Sequence, residues 1–215
     1  MRLIRLLFNK INLDEKKLEK YYNQSAHYLW IGERTNKLNE AHLEYFRGIS
    51  NPIGMKWGPS TAPEDFVKAV KFLNPDNKKG RIVLITRFGA SKIETALPPI
   101  IKEIVKNELN VIWVCDAVHG NTYTNEHKIK VRDIEAVYQE LTLTYKILTQ
   151  NNQHFGGIHL ETSADFVTEW MGGITMTTDA RHTYTSKCDP RLNFVQTLHI
   201  LYKFCKYVES NKITE

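Results

Sequence analysis

Cysteine is scarce in this 215-residue sequence, which holds only Cys115, Cys188 and Cys205. The three show neither paired spacing nor a CxxC, which argues against a disulfide framework or a zinc knuckle and fits a reducing cytoplasm. Long apolar runs are also missing. No stretch approaches the roughly 20 apolar residues that a membrane span needs, and the opening MRLIRLLFNK is broken by Arg5 and closed by Lys10, without the h-region or cleavage site of a signal peptide. A phosphate loop of the form G-x-x-x-x-G-K-[ST] is absent, and Gly156-Gly157 and Gly172-Gly173 are too sparse for a nucleotide cradle. The formal charge of +5 comes from lysines scattered over expected helix surfaces instead of one basic, aromatic-rich stretch, so no nucleic-acid partner is expected. No low-complexity segment marks a boundary, and 42% hydrophobic with 25% charged residues is ordinary for one soluble globular domain.

What is present is an alternation. Apolar runs rich in β-branched residues occur at HYLWIG (27–32), PIGMKWG (52–58), RIVLITR (81–87), NVIWVCD (110–116) and GGIHLET (156–162), with a weaker TYTSKCD at 183–189. Helical stretches lie between or after them: PEDFVKAVKFL (63–73), with Pro63 at its first position; KIETALPPIIKEIVKN (92–107), expected to restart at its prolines; RDIEAVYQELTLTYKIL (132–148); and RLNFVQTLHILYKFCKYV (191–208), whose aromatics read as core. Strands alternating with helices predict a parallel sheet, and non-alternating apolar strands agree, because parallel strands are covered on both faces.

Each strand ends in chemistry. Glu33 and Arg34 follow the first, Lys56 closes the second, Arg87 the third, His119 follows the fourth, Glu161 the fifth and Asp189 the sixth. Successive separations from Glu33 through Asp189 are 23, 31, 32, 42 and 28 residues, near the ~30 residues of a βα unit. Singly, each has a plain explanation, since a strand-end histidine is more often a surface group and Glu161 or Asp189 could cap a helix. Recurrence at six ends is what favours one shared rim, as on a (β/α)8 barrel. By chemistry the groups divide into a cationic set, Arg34, Lys56 and Arg87, suited to phosphate and carboxylate, and an N/O set, His119, Glu161 and Asp189, suited to a divalent metal such as manganese. His159, two residues before Glu161 on the same strand face, is a candidate supporting residue.

These segments are also specific as motifs. SAHYLWIGERT (25–35), NPIGMKWGPS (51–60), NPDNKKGRIVLITRFGASK (74–92), VIWVCDAVHGNT (111–122), GGIHLETSADFVTEWMGG (156–173) and CDPRLN (188–193) closely resemble class II, plant-like 3-deoxy-D-arabino-heptulosonate 7-phosphate (DAHP) synthases. The resemblance implies a TIM (β/α)8-type barrel on which phosphoenolpyruvate (PEP) condenses with erythrose 4-phosphate, opening the shikimate route to chorismate and the aromatic amino acids. It implies that Glu33, Arg34, Lys56 and Arg87 bind PEP, and that His119, Glu161 and Asp189 are three of four metal ligands, for Mn2+ first and Co2+ second. In that chemistry the metal polarises the aldehyde, the PEP methylene carbon attacks, and water captures the cation before phosphate leaves. Lys56 and His119 are the candidate catalytic residues, with Lys56 or a metal-bound water as proton source.

The same resemblance implies a longer chain. Family members are about twice this length, and their N-terminal half supplies two strands, a cysteine ligand and further cations. Residues 1–24 are therefore expected to be a divergent segment forming at most one strand and one helix, and residues 25–215 an incomplete barrel with about six of eight strands. Cys188, beside Asp189, should face away from the metal. Three outcomes are open: an active synthase completed by a separate N-terminal piece or by another copy, an inactive remnant, and a non-catalytic partner of a full-length synthase.

Overall fold

Apolar β-branched runs and amphipathic stretches do alternate along the backbone, and the computed structural model describes residues 8–11, 20–173 and 183–211. In chain order the strands and helices are β1 (Phe8–Ile11), β2 (Lys20–Asn23), β3 (Leu29–Ile31), α1 (Ala41–Arg47), β4 (Ile53–Trp57), α2 (Pro63–Leu73), β5 (Ile82–Thr86), α3 (Ile93–Lys106), β6 (Ile112–Cys115), β7 (Thr122–Thr124), β8 (Lys130–Asp133), α4 (Ile134–Gln150), β9 (Phe155–Ile158), β10 (Trp170–Met171) and α5 (Phe194–Ser210). Two 3₁₀ turns, Glu33–Thr35 and His119–Asn121, follow β3 and β6. The chain divides into two compact units: Met1–Ile85 with Lys102–Trp113, and Thr86–Ile101 with Val114–Glu215.

In the first unit the strand order is β3-β4-β5-β6, and β3 pairs with β4 in parallel, Leu29 opposite Ile53 and Ile31 opposite Met55. All five residues of β4 are buried, as expected of a strand covered on both faces. Gly54 allows that packing, because a side chain there would press within 3 Å of Trp30 and Ile85. α2 starts at Pro63 with Glu64 and Asp65 in its first turn, and buries Phe66, Val67, Ala69, Val70 and Leu73; Phe66 meets Trp57 edge to face at 4.2 Å between ring centres. Arg81, just before β5, donates to the carbonyls of Ile49 (2.7 Å), Phe46 (3.3 Å) and Asn51, satisfying backbone acceptors left open where α1 ends. β1 and β2 form an antiparallel pair, with Phe8 opposite Asn23. Residues 1–24 are expected to hold at most one strand and one helix, but Lys20–Asn23 is a second strand; residues 12–19 lie outside the described ones.

α3 contributes residues to both units and does not restart at its prolines: Pro98 and Pro99 sit inside one continuous helix. The carbonyls of Glu94 and Thr95 lose their intrahelical donors, but both residues are exposed to water, while the face formed by Ile93, Leu97, Ile100, Ile101 and Ile104 is buried.

In the second unit the His159 amide, just past β9, donates to the Cys115 carbonyl at 2.8 Å, and a small sheet has the order β10-β8-β7, with β7 antiparallel and β10 parallel to β8. Its core gathers Cys115, Ala117, Val118, Ile134, Val137, Leu141, Trp170, Leu192, Ile200 and Phe204. Both long helices here are capped by their own sequence. Asp133 accepts from the Glu135 and Ala136 amides at 2.7 and 3.1 Å ahead of α4, and Asn193 with Gln196 forms a capping box that starts α5 at Phe194, later than expected. The α5 aromatics are not uniformly core: Phe204 is buried, whereas Phe194 and Tyr202 are two-thirds exposed. The weak sixth strand is not formed: residues 183–189 are a turn, irregular backbone and a bend. Helices with parallel pairing make this an α/β fold; among the described residues no sheet closes on itself.

Candidate metal centre

The site in the second unit begins where β6 stops. Asp116, fully buried, ends the strand and accepts from the backbone amides of Val118 and His119, both at 3.2 Å. That turns the chain into the 3₁₀ turn His119–Asn121. The same carboxylate meets the His119 ring at Nδ1, 2.9 Å from Oδ1 and 2.8 Å from Oδ2. With Nδ1 engaged, Nε2 is turned toward Glu161, 3.6 Å from its Oε2.

Glu161 lies just past β9 and is held by Arg132 of β8, whose Nη1 donates to Oε2 at 2.9 Å. Arg132 is completely buried, donates also to the Pro190 carbonyl and to Thr122 Oγ1 (2.8 Å), and lies 5.7 Å over the Trp170 ring. Asp189 receives Lys130 Nζ at 3.2 Å. Partial burial would raise the Asp189 pKa, but the Lys130 hydrogen bond and charge, with Arg132 and His119, outweigh it and hold the carboxyl below its ordinary range. One donor atom each from His119, Glu161 and Asp189 lie within 4.8 Å of one another. One imidazole and two carboxylates suit a divalent cation of the manganese class, and the Asp116 contact supplies the outer partner that ligating imidazoles usually have. The residues present therefore fit a metal.

Arg87 belongs to the same unit, and its Nη2 donates to the His119 carbonyl at 3.0 Å. Cys188 is exposed, and among the described residues the donor cluster contains no cysteine. His159 follows β9, and its amide donates to the Cys115 carbonyl at 2.8 Å.

The remaining expected site residues belong to the first unit. Glu33 and Arg34 occupy the 3₁₀ turn after β3 and line a cavity of about 680 Å³ with Asn36, Lys37, Ser60 and Asp65. Ser60 Oγ donates to Glu33 Oε1 at 3.3 Å, and a side chain at Gly58 would collide with the Glu33 carboxylate, so the glycine of MKWG is what admits that close approach. Lys56 is buried at 7% exposure, its ammonium 5.8 Å from the Trp30 ring centre and its carbonyl accepting from Asn36 Nδ2 at 3.1 Å.

Four supporting charges escape sequence reasoning: Asp116, Arg132, Glu140 and Glu169, all completely buried. Glu169 accepts from the amides of Thr185 (2.9 Å), Ser186 (2.8 Å) and Arg191 (2.7 Å) and from Ser186 Oγ (2.5 Å), which pins the loop carrying Asp189. Burial opposes its ionisation, yet these hydrogen bonds hold its pKa below the ordinary value. Only Asp116 left a readable signal, a carboxylate three residues before a strand-end histidine.

The class so defined is an α/β protein with a three-donor site fit for a divalent cation. A family model described as the class-II DAHP synthetase family matches residues 4–205, and the chain belongs to that family. It is 44% identical over 188 residues to the phospho-2-dehydro-3-deoxyheptonate aldolase of Neurospora crassa, covering 86% of this chain and 39% of that one. To the aldolase AroG of Mycolicibacterium smegmatis it is 42% identical over 185 residues, covering 85% and 40%. The chain thus spans about 40% of the length of these curated relatives. Among solved structures, the phospho-2-dehydro-3-deoxyheptonate aldolase from Francisella tularensis is similar in fold, with a TM-score of 0.52 at 20% identity over 86% of this chain and 55% of that one.

Proposed function

We propose that residues 25–215 are the metal-binding and PEP-binding part of a DAHP synthase that condenses PEP with erythrose 4-phosphate, arranged as part of a (β/α)8 barrel and working in the cytoplasm. The observation that carries this is the convergence of His119, Glu161 and Asp189 within 4.8 Å. Bound there, Mn2+, or Co2+ as the second choice, supplies Lewis acidity toward an aldehyde oxygen. The chain's own residues do the rest. Asp116 holds the imidazole tautomer, Arg132 and Lys130 hold the Glu161 and Asp189 carboxylates in place by hydrogen bonds, and Arg87 offers a planar guanidinium to phosphate or carboxylate. In the first unit Glu33, Arg34 and Lys56 are the further PEP-binding groups, with Lys56 a proton donor to the new alkoxide.

Because the chain spans about 40% of its relatives, the proposal covers the share of the reaction its own residues can perform. A separate N-terminal piece, or a second copy of the chain, would supply further substrate contacts. Calorimetric titration with Mn2+, followed by PEP, tests the reading. Saturable binding of both is expected, with Arg87→Ala weakening PEP by about tenfold through one lost charge-assisted contact. A folded chain that binds neither would overturn it. Following PEP consumption with erythrose 4-phosphate, alone and with the N-terminal half of a relative added, separates a self-sufficient enzyme from one that needs completion.

A further inference from the structure

Glu140 is a completely buried carboxylate on α4, among the core residues Val137, Leu141 and Thr144. A carboxylate on the buried face of a helix breaks the amphipathic pattern, and such exceptions concentrate where function requires them. Its partners are neutral donors. Oε1 accepts from the Phe88 amide at 2.8 Å, and Oε2 from Asn121 Nδ2 at 2.7 Å. These donors belong to two different loops. Phe88 directly follows Arg87, and Asn121 closes the turn that begins at His119.

The two loops also meet each other. The Ala90 amide donates to Asn121 Oδ1 at 3.0 Å, while Asn121 Nδ2 donates again to the Ala117 carbonyl at 2.7 Å. Gly89, at a φ of +86°, and Gly120 are in backbone contact, and a Cβ on Gly89 would lie 2.7 Å from the Gly120 carbonyl oxygen. With Arg87 Nη2 on the His119 carbonyl, the loops form one layer, and Glu140 supports both halves from below.

We propose that Glu140 is a positioning residue that locks the Arg87 loop to the His119 turn, an inference that rests on the anion-binding and metal-binding roles proposed above for those two residues. Burial pushes the Glu140 pKa up to about 7, against the opposing pull of the Phe88 and Gly89 amides, and the nearby Asp116 adds to the rise. A carboxylate kept at that cost with two loops on its two oxygens has a geometric task that an apolar residue could not perform.

The test is amide hydrogen exchange in wild type and Glu140→Gln, read at residues 88–90 and 118–121, beside Mn2+ titration. A glutamine keeps an acceptor for Phe88 but sets its NH2 against Asn121 Nδ2, which is already committed to Ala117. Exchange should rise about tenfold in both loops while the α5 core stays protected, and Mn2+ affinity should fall about tenfold, as for other residues that orient metal ligands. A folded Glu140→Gln in which either loop exchanges at the wild-type rate overturns the proposal. Should that variant not fold, Asn121→Ala cuts the same link from the other side: faster exchange at 88–90 supports the coupling, and an unchanged rate there overturns it. If His119→Ala binds Mn2+ like wild type, the metal assignment falls, and the exchange rates still decide the role of Glu140.

Discussion

The two units treat buried charge differently. Among the described residues, the first unit buries one charged side chain, Lys56, alongside apolar residues such as Ile31, Ile53, Met55, Trp57, Phe66 and Leu84; the second buries Asp116, Arg132, Glu140 and Glu169. Desolvating a charge costs several kcal/mol unless hydrogen bonds compensate. For Asp116, Arg132 and Glu169 they do, and these groups bear on the chain segments that carry His119, Glu161 and Asp189: Asp116 on the His119 ring, Arg132 on Glu161, and Glu169 on the loop of Asp189. The first unit is organised by apolar strands and backbone hydrogen bonding, with its polar candidates at strand ends. The contrast teaches that a three-donor site is built less by the donors than by the charges behind them.

The sharpest break of that contrast is His119→Ala, which removes the one nitrogen of the cluster and should weaken Mn2+ by more than about 100-fold in calorimetry, beyond what loss of an outer partner costs. Asp116→Asn keeps the shape but removes the charge that fixes Nδ1; a loss of about tenfold is expected, and unchanged affinity would mean the buried acid only shapes the turn. Arg81→Met in the first unit should cost about 2 kcal/mol in urea unfolding, because three carbonyls lose a charged donor, and should leave Mn2+ affinity as it was. If it weakens the metal as much as Asp116→Asn does, the division of labour is wrong. The smallest effect is in pH. Glu140 titrates in the folded chain at about 7, above its unfolded value, so its contribution to stability is fully present below the ordinary carboxylate range and is lost as pH rises toward about 7. Thermal unfolding across that window should show a slope that Glu140→Gln flattens.

Much of this was legible in one dimension. Parallel strands covered on both faces must be apolar throughout, so RIVLITR and NVIWVCD announced β5 and β6, and Pro63 with its acids announced the start of α2. The donors were legible because strand ends that carry ionisable groups recur at βα spacing. The failures have physical causes. Pro98 and Pro99 did not break α3, since its buried face outweighs two lost hydrogen bonds at the exposed residues Glu94 and Thr95. TYTSKCD did not become a strand, since Glu169 captures its amides. Residues 1–24 read as at most one strand and one helix, yet Lys20–Asn23 is a second strand that pairs with Phe8–Ile11.

By itself, then, the sequence determined the α/β alternation and the family, and it singled out the three candidate donors, because hydrophobic periodicity and motif spacing are local and survive without coordinates. Only the tertiary structure decided that the donors lie within 4.8 Å, and that Arg132, Glu140 and Glu169 are interior charges and not surface ones. A charge is read as solvent-exposed until its partner is known, and each of these partners is distant in sequence: 29 residues from Arg132 to Glu161, 52 from Glu140 to Phe88 and 22 from Glu169 to Arg191.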